Sequence, residues 1–257
     1  MHLFLRRGVV LAALALAAVC VSAFIGSGRT TAAAAVTRGP IAFVPGTAPN
    51  HRLSNGSSTN WSGYAVTGGV YTSVSASWTQ PAVDCSTTPT GWSSFWVGLD
   101  GDGTSTVEQT GTEADCSSGQ AVYSSWYEMY PKFPKNYSDP VVPGDSFSAS
   151  VTTDGRGSFT LTLTNNTRHW SHTTSARLKN ARLGSAEVIA EAPSSSGGVL
   201  PLADFGTVNF SGASANGTSF ASLGGLDRID MVSGSSTKAS TGSIDGSGNF
   251  SVTWKSS

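Results

Sequence analysis

The sequence predicts an all-β fold, a sandwich or barrel of antiparallel strands, and three observations carry that expectation. From Trp61 onward the chain is a succession of short β-prone runs, among them YTSVSASWTQ, SSFWVGLD, STVEQTG, AVYSSWYEMY, SFTLTLTN and NFSVTW. DG, GG, NG and SG pairs separate these runs, and such dipeptides supply the positive φ of tight hairpin turns. Alternation replaces any helical period: in SFTLTLTN, Phe159, Leu161 and Leu163 share one face and Thr160, Thr162 and Thr164 the other. The best helical candidate, SARLKNARLG, is short and reads equally well as a loop with a strand. At 257 residues a sheet protein of this kind is expected to form one domain.

In chain order, Arg6 and Arg7 precede an apolar run from residue 8 to about residue 25, followed by the small-residue segment SGRTTAAAA. That is the pattern of a secretory signal peptide, assigned to residues 1–35, with an uncleaved N-terminal anchor as the alternative. Residues 36–59 hold prolines and glycines without a sustained period and read as a pro-segment or linker. The domain is expected over residues 60–257, secreted to the extracellular space. Cys20 falls in the leader, so Cys85 and Cys116 are left to form one disulfide. Closing a loop of about thirty residues stabilises by about 3–4 kcal/mol in the chain-entropy model.

Charge excludes several partners. Charged residues are 12% of the chain, with Lys+Arg 15 against Asp+Glu 16. Arg6, Arg7, Arg29, Arg38 and Arg52 all precede residue 53, while every acidic residue follows it. Subtracting those five from 15 leaves 10 basic against 16 acidic groups, a net charge of −6. A chain of this balance does not attract a polyanion, so nucleic acid is not expected as a partner, nor a membrane for the mature form. A monomer is expected.

Seven blocks then follow in order: NWSGYAV at 60–66, SASWTQPAV at 75–83, WVGLDGD at 96–102, EQTG at 108–111, WYEMYP at 126–131, AEVIAEAP at 186–193 and ADFGTVNF at 203–210. Together they resemble the glutamic peptidases, also called eqolisins, over about 150 residues. The resemblance implies a β-sandwich of two large antiparallel sheets with a substrate cleft on the concave face of one. It also implies a catalytic dyad of glutamine and glutamate, falling here on Gln109 and Glu191, with polypeptide as substrate and neither cofactor nor metal. The chain departs from the family's usual blocks at Glu108, Ser124 and Met129.

Peptide hydrolysis needs a nucleophilic water and a donor for the charge that grows on the carbonyl oxygen. Glu191 as carboxylate would take the proton and return it to the leaving amine, while the Gln109 amide would hold water and oxyanion. With one carboxylate replaced by an amide, Glu191 is expected near an ordinary glutamate pKa of about 4.3 unless burial or neighbouring acids move it, and activity in acid follows. Trp96 and Trp126 are candidate cleft walls, Asp100 and Glu128 candidate hydrogen-bonding supports, and Tyr130 opens a loop over the substrate. Each also has a plain structural role open to it: core tryptophan, turn aspartate, solvated strand residue. Glu187 lies four residues before Glu191, an even offset that puts both on one strand face. By geometry alone either is the acid; the family block favours the second.

Other signals carry less. GDSFS at 144–148 looks like a serine-nucleophile motif but runs into the alternation of a strand. His169 and His172 are three apart, on opposite faces of a strand, and are expected to be solvated rather than to share a metal. The alternative function class is a non-catalytic carbohydrate- or peptide-binding module on the same sandwich.

Overall fold

The computed structural model describes residues 56–257. The leader, Cys20 and residues 36–55 lie outside the described residues. β1 (Ser57–Ser58) and β2 (Trp61–Thr67) are followed by β3 (Ser73–Thr79), β4 (Ser94–Leu99), β5 (Val107–Ser117), β6 (Gln120–Tyr130) and β7 (Lys135–Asn136). The middle of the chain forms β8 (Ser146–Thr153), β9 (Ser158–Asn165), β10 (Trp170–Arg177) and β11 (Ser185–Glu191). The last part forms β12 (Ser194–Ser195), β13 (Gly198–Val199), β14 (Thr207–Ala215), β15 (Thr218–Ser219), β16 (Leu226–Ser233), β17 (Ser236–Thr241) and β18 (Phe250–Trp254). No α-helix occurs among the described residues; SARLKNARLG ends β10 and continues as a loop.

The long path of hydrogen-bonded neighbours runs β10-β9-β8-β3-β14-β18-β17-β16-β2-β11-β4-β5-β6-β7, and β12 and β13 pair separately. Pairing between named strands is antiparallel except for the short parallel contact of β1 with β16. The path folds back on itself at β16, which pairs with β17 on one side and β2 on the other. The result is a sandwich of two large sheets sharing one strand, which decides between sandwich and barrel. Inward side chains of both layers meet in one core that includes Trp78, Phe95, Val97, Phe147, Leu161 and Val188. The threonines of β9 face away from that core, as the alternation predicts.

A second apolar cluster lies on the other face of the sheet containing β2, β11, β4, β5 and β6. It holds Trp61, Ala65, Trp96, Val107, Trp126, Ile189 and Ile229, with Tyr130 packed against it. Two glycines let this face close. A Cβ at Gly111 would meet the Phe95 carbonyl and come within 2.6 Å of Trp96 Cβ, and one at Gly98 would lie 2.9 Å from Trp96 Cζ3. The six-membered ring of Trp96 therefore occupies the space over Gly98, with Gln109 Cβ alongside.

The Cys85–Cys116 disulfide is formed, tying the segment after β3 to the end of β5. Arg168 and Asn165 both donate to Asp145, and Asp145 is buried, so the Asp of GDSFS braces a turn into β8.

Candidate active site

Gln109 stands on β5 and Glu191 at the end of β11, and both point to the face that carries the second apolar cluster. The alternation that sends Phe95, Val97, Val188 and Ala190 into the sandwich core sends Trp96, Ile189 and Glu191 outward. Cross-strand register places Glu191 beside Ser94, and Ser94 beside Glu113 and in line with Ser124. One row on come Ile189, Trp96, Gly111 and Trp126, and the next row holds Glu187, Gly98, Gln109 and Glu128. Gln109 and Glu191 thus lie diagonally across the Trp96 indole and do not bond to each other.

Glu191 is oriented by nitrogen donors. Trp96 Nε1 donates to Oε2 at 2.8 Å and Asn60 Nδ2 to Oε1 at 3.0 Å. Burial pushes its carboxyl up to about 7, Trp96, Trp61 and Asn60 hold it down by hydrogen bonding, and the Glu113 charge adds to the rise. The condition attached to the ordinary value of 4.3 is therefore met: burial and a neighbouring acid do move it.

Gln109 Nε2 donates to Glu128 Oε2 at 2.6 Å, while Gln109 Oε1 is buried without a partner. Glu128 is not a solvated strand residue. Burial pushes it up to about 8, the Gln109 hydrogen bond opposes this, and Glu191 and Glu113 raise it further. At acid pH it holds a proton, so Gln109 faces a neutral carboxyl rather than a charge.

The remaining candidates divide. Trp96 and Trp126 are buried in the outer cluster, on the same face as Gln109, and Tyr130 packs at its margin. Asp100 is instead a structural residue. Fully buried, with φ of 63°, it accepts the backbone N–H groups of Arg182, Leu183 and Gly184, each at 2.9 Å. It positions the start of β11 rather than the dyad's surroundings. Glu187 shares a face with Glu191, as the even offset predicts, yet is fully buried, while Glu191 at the strand end stays partly exposed. His172 is half-buried, bonded to Asp139 Oδ2 at 2.7 Å and stacked on Tyr137 at 4.2 Å, which corrects the expectation of a solvated side chain.

Residues not singled out from sequence complete the site. Glu113 accepts from Ser124 Oγ at 2.6 Å, and burial raises its carboxyl too. Its position four after Gln109 on one strand was the available signal. Asn60 and Trp61 come from the first block, but nothing local links them to Glu191, which is 131 residues from Asn60. Among the described residues no group of three or more His, Cys, Asp or Glu side chains is placed to hold a metal ion.

The candidate site thus sets a carboxylate held by nitrogen donors and an amide on one face of the sheet, with an indole between them. The chain matches the model of the Peptidase A4 family over residues 59–254, and it belongs to that family, the glutamic peptidases. It is 31% identical to aspergillopepsin-2 of Aspergillus niger over 201 residues, 67% of this chain and 71% of that one. To scytalidopepsin B of Scytalidium lignicola it is 36% identical over 106 residues, 40% of this chain and 39% of that one. The fold is similar to that of scytalido-glutamic peptidase solved with a transition state analog inhibitor, with a TM-score of 0.65, 27% identity, and 77% of this chain and 98% of that one covered. It is also similar to aspergilloglutamic peptidase from Aspergillus niger, with a TM-score of 0.57, 29% identity, and 64% and 99% covered. The chain is a peptide-bond hydrolase, and its substrates are peptides.

Proposed function

We propose that the chain is an exported endopeptidase that cleaves extended polypeptide by general-base attack of water, with Glu191 as base and then acid. The observation that carries the reading is the pairing of a partly exposed, donor-oriented Glu191 carboxylate with a Gln109 amide whose Oε1 is unpartnered, both facing one side of the sheet. Water held by Gln109 Oε1 gives its proton to Glu191 as its oxygen bonds to the peptide carbon. The Gln109 amide supports the resulting oxyanion. Glu191 then returns the proton to the nitrogen as the C–N bond breaks, leaving a carboxylic acid and a free amine.

Glu128 sets the alkaline edge of this chemistry. Once it ionises, near 8, a charge sits against Gln109 and opposes charge growth on the oxyanion. Glu191 sets the acid edge, because only its ionised form accepts the proton. The leader pattern at residues 1–35 and the disulfide in the domain support export to an oxidising compartment.

The test is hydrolysis of a denatured protein from about pH 2 to about pH 9 by the mature protein, alongside Gln109→Ala and Glu191→Gln. Loss of at least about a hundredfold in kcat/KM is expected in both folded variants. Cleavage retained by Glu191→Gln would reject the base. A folded, processed wild type inert at every pH would favour the binding-module alternative.

A further inference from the structure

Glu191 is the base of the mechanism proposed above, and the chain that reaches it begins at Ser58 on β1. Ser58 Oγ accepts two backbone N–H groups, from Asn60 at 3.3 Å and from Trp61 at 3.1 Å. A serine hydroxyl has two acceptor lone pairs and one proton. With both lone pairs engaged, only the proton remains, and the nearest side-chain partner is Asn60 Oδ1 at 3.2 Å. An Asn side chain flipped by 180° would present its NH2 to an oxygen with no free lone pair. The oxygen of Asn60 must therefore face Ser58, and Nδ2 must face Glu191 Oε1, 3.0 Å away.

We propose that Ser58 is a positioning residue for the catalytic base: its hydroxyl locks the Asn60 amide in the one orientation that donates to Glu191. The inference rests on the function proposed above and deepens it. Asn60 is fully buried and Ser58 nearly so, so water does not compete for these bonds. Ser58 is held in turn by the parallel pairing of β1 with β16, where Ser58 lies opposite Met231 and Asp230 N–H donates to Gly56 O at 2.9 Å. The backbone carbonyl of Asn60 accepts Ala192 N–H at 2.8 Å, so the same turn also fixes the chain just beyond Glu191. The base is thus oriented by residues that precede the first long strand.

The consequence is a pH signature. The other groups acting on Glu191 are the indoles of Trp96 on β4 and Trp61 on β2, the Glu113 carboxyl on β5 and the Glu128 carboxyl on β6. Trp96 Nε1 is already engaged with Oε2, on the other oxygen from the one that Asn60 serves. Without the Ser58 proton, the Asn60 amide turns freely and the ionised form of Glu191 loses support.

The experiment is the kcat/KM–pH profile of the mature protein and of Ser58→Ala, Ser58→Thr, Asn60→Asp and Glu191→Gln. In Ser58→Ala the acid limb is expected to move to higher pH by about half to one pH unit, a fall of roughly three- to tenfold at pH values below the limb beyond any change in the plateau. Ser58→Thr keeps the hydroxyl and should keep the wild-type limb. Asn60→Asp removes the Nδ2 donor and sets a second carboxyl against Glu191, so it must shift the limb the same way and by at least as much, even where Ser58→Ala does not fold. A limb unmoved in Asn60→Asp, or a folded Ser58→Ala that loses rate equally at every pH, overturns the proposal. Activity retained by Glu191→Gln overturns instead the assignment of the base.

Discussion

At the residue scale, the proposed mechanism turns on which carboxyl on this face loses its proton first. Glu191 has three nitrogen donors, whereas Glu128 has the Gln109 amide and Glu113 the Ser124 hydroxyl. Donors favour the charged form and neighbouring charges oppose it, so the donor-rich Glu191 ionises below Glu128. Two substitutions separate these effects. Glu113→Gln removes a like charge, lowers the Glu191 pKa and is expected to move the acid limb of kcat/KM to lower pH by up to about one unit. Glu128→Gln keeps an acceptor for Gln109 but cannot ionise, so the fall in activity near pH 8 is expected to disappear. A decline above pH 8 unchanged in Glu128→Gln would assign that edge to another group.

At the scale of the element, β4 and β5 make the floor on which the site is laid. Both strands alternate, but their two faces hold different things: core apolar groups inward, indole, amide and carboxyl outward. Gly111 keeps them in register at the point where Trp96 packs. Gly111→Ala puts a methyl into the Phe95 carbonyl and against Trp96 Cβ and Cα, and the paired β4 backbone that carries them cannot yield cheaply. The expected loss is about 1–3 kcal/mol of stability, read as a lower midpoint in urea unfolding. Because Trp96 Nε1 holds Glu191, kcat/KM should fall in the same variant even where it is folded.

At the scale of the whole molecule, several carboxyls are buried where burial favours their neutral form. Glu108 points inward beside Leu99 and Met129, is fully buried, and neither oxygen has a hydrogen bond of normal geometry. Burial, reinforced by the Asp100 charge and only partly offset by Thr106, pushes it up to about 8 from 4.5. Glu187 is raised well above its ordinary value as well, by burial first, with the Ser185 hydrogen bond opposing the rise and the Asp100 charge adding to it. Between about pH 4.5 and about pH 8 the unfolded chain has released the Glu108 proton and the folded chain still holds it. Glu108 then lowers stability by up to about 1.4 kcal/mol per pH unit as pH rises, with no slope from this group below or above that window. Unfolding midpoints in urea are expected to drop across this range. Glu108→Leu, which joins Leu99 and Met129, should remove one proton from the slope and stabilise the protein at about pH 7; an unchanged slope would mean that Glu108 is ionised throughout.

Much of this architecture was legible in the residues because side-chain direction along a strand follows from local covalent geometry. Period two placed Phe159, Leu161 and Leu163 on one face, sent Glu108 away from Gln109, and put Glu187 and Glu191 together. The short runs and turn dipeptides specified an all-β chain, and two cysteines left one pairing, now formed. The turn at Asp100 was readable as a turn, but its three backbone partners, more than eighty residues away, were not. Tertiary structure alone decided which of two same-face glutamates stays open at a strand end, and which donors reach it. Those contacts join the turn before β2, β4 and β11 across 95 to 131 residues, and pairing register between such distant strands is fixed by the packing of the whole sandwich, not by any local stretch of chain.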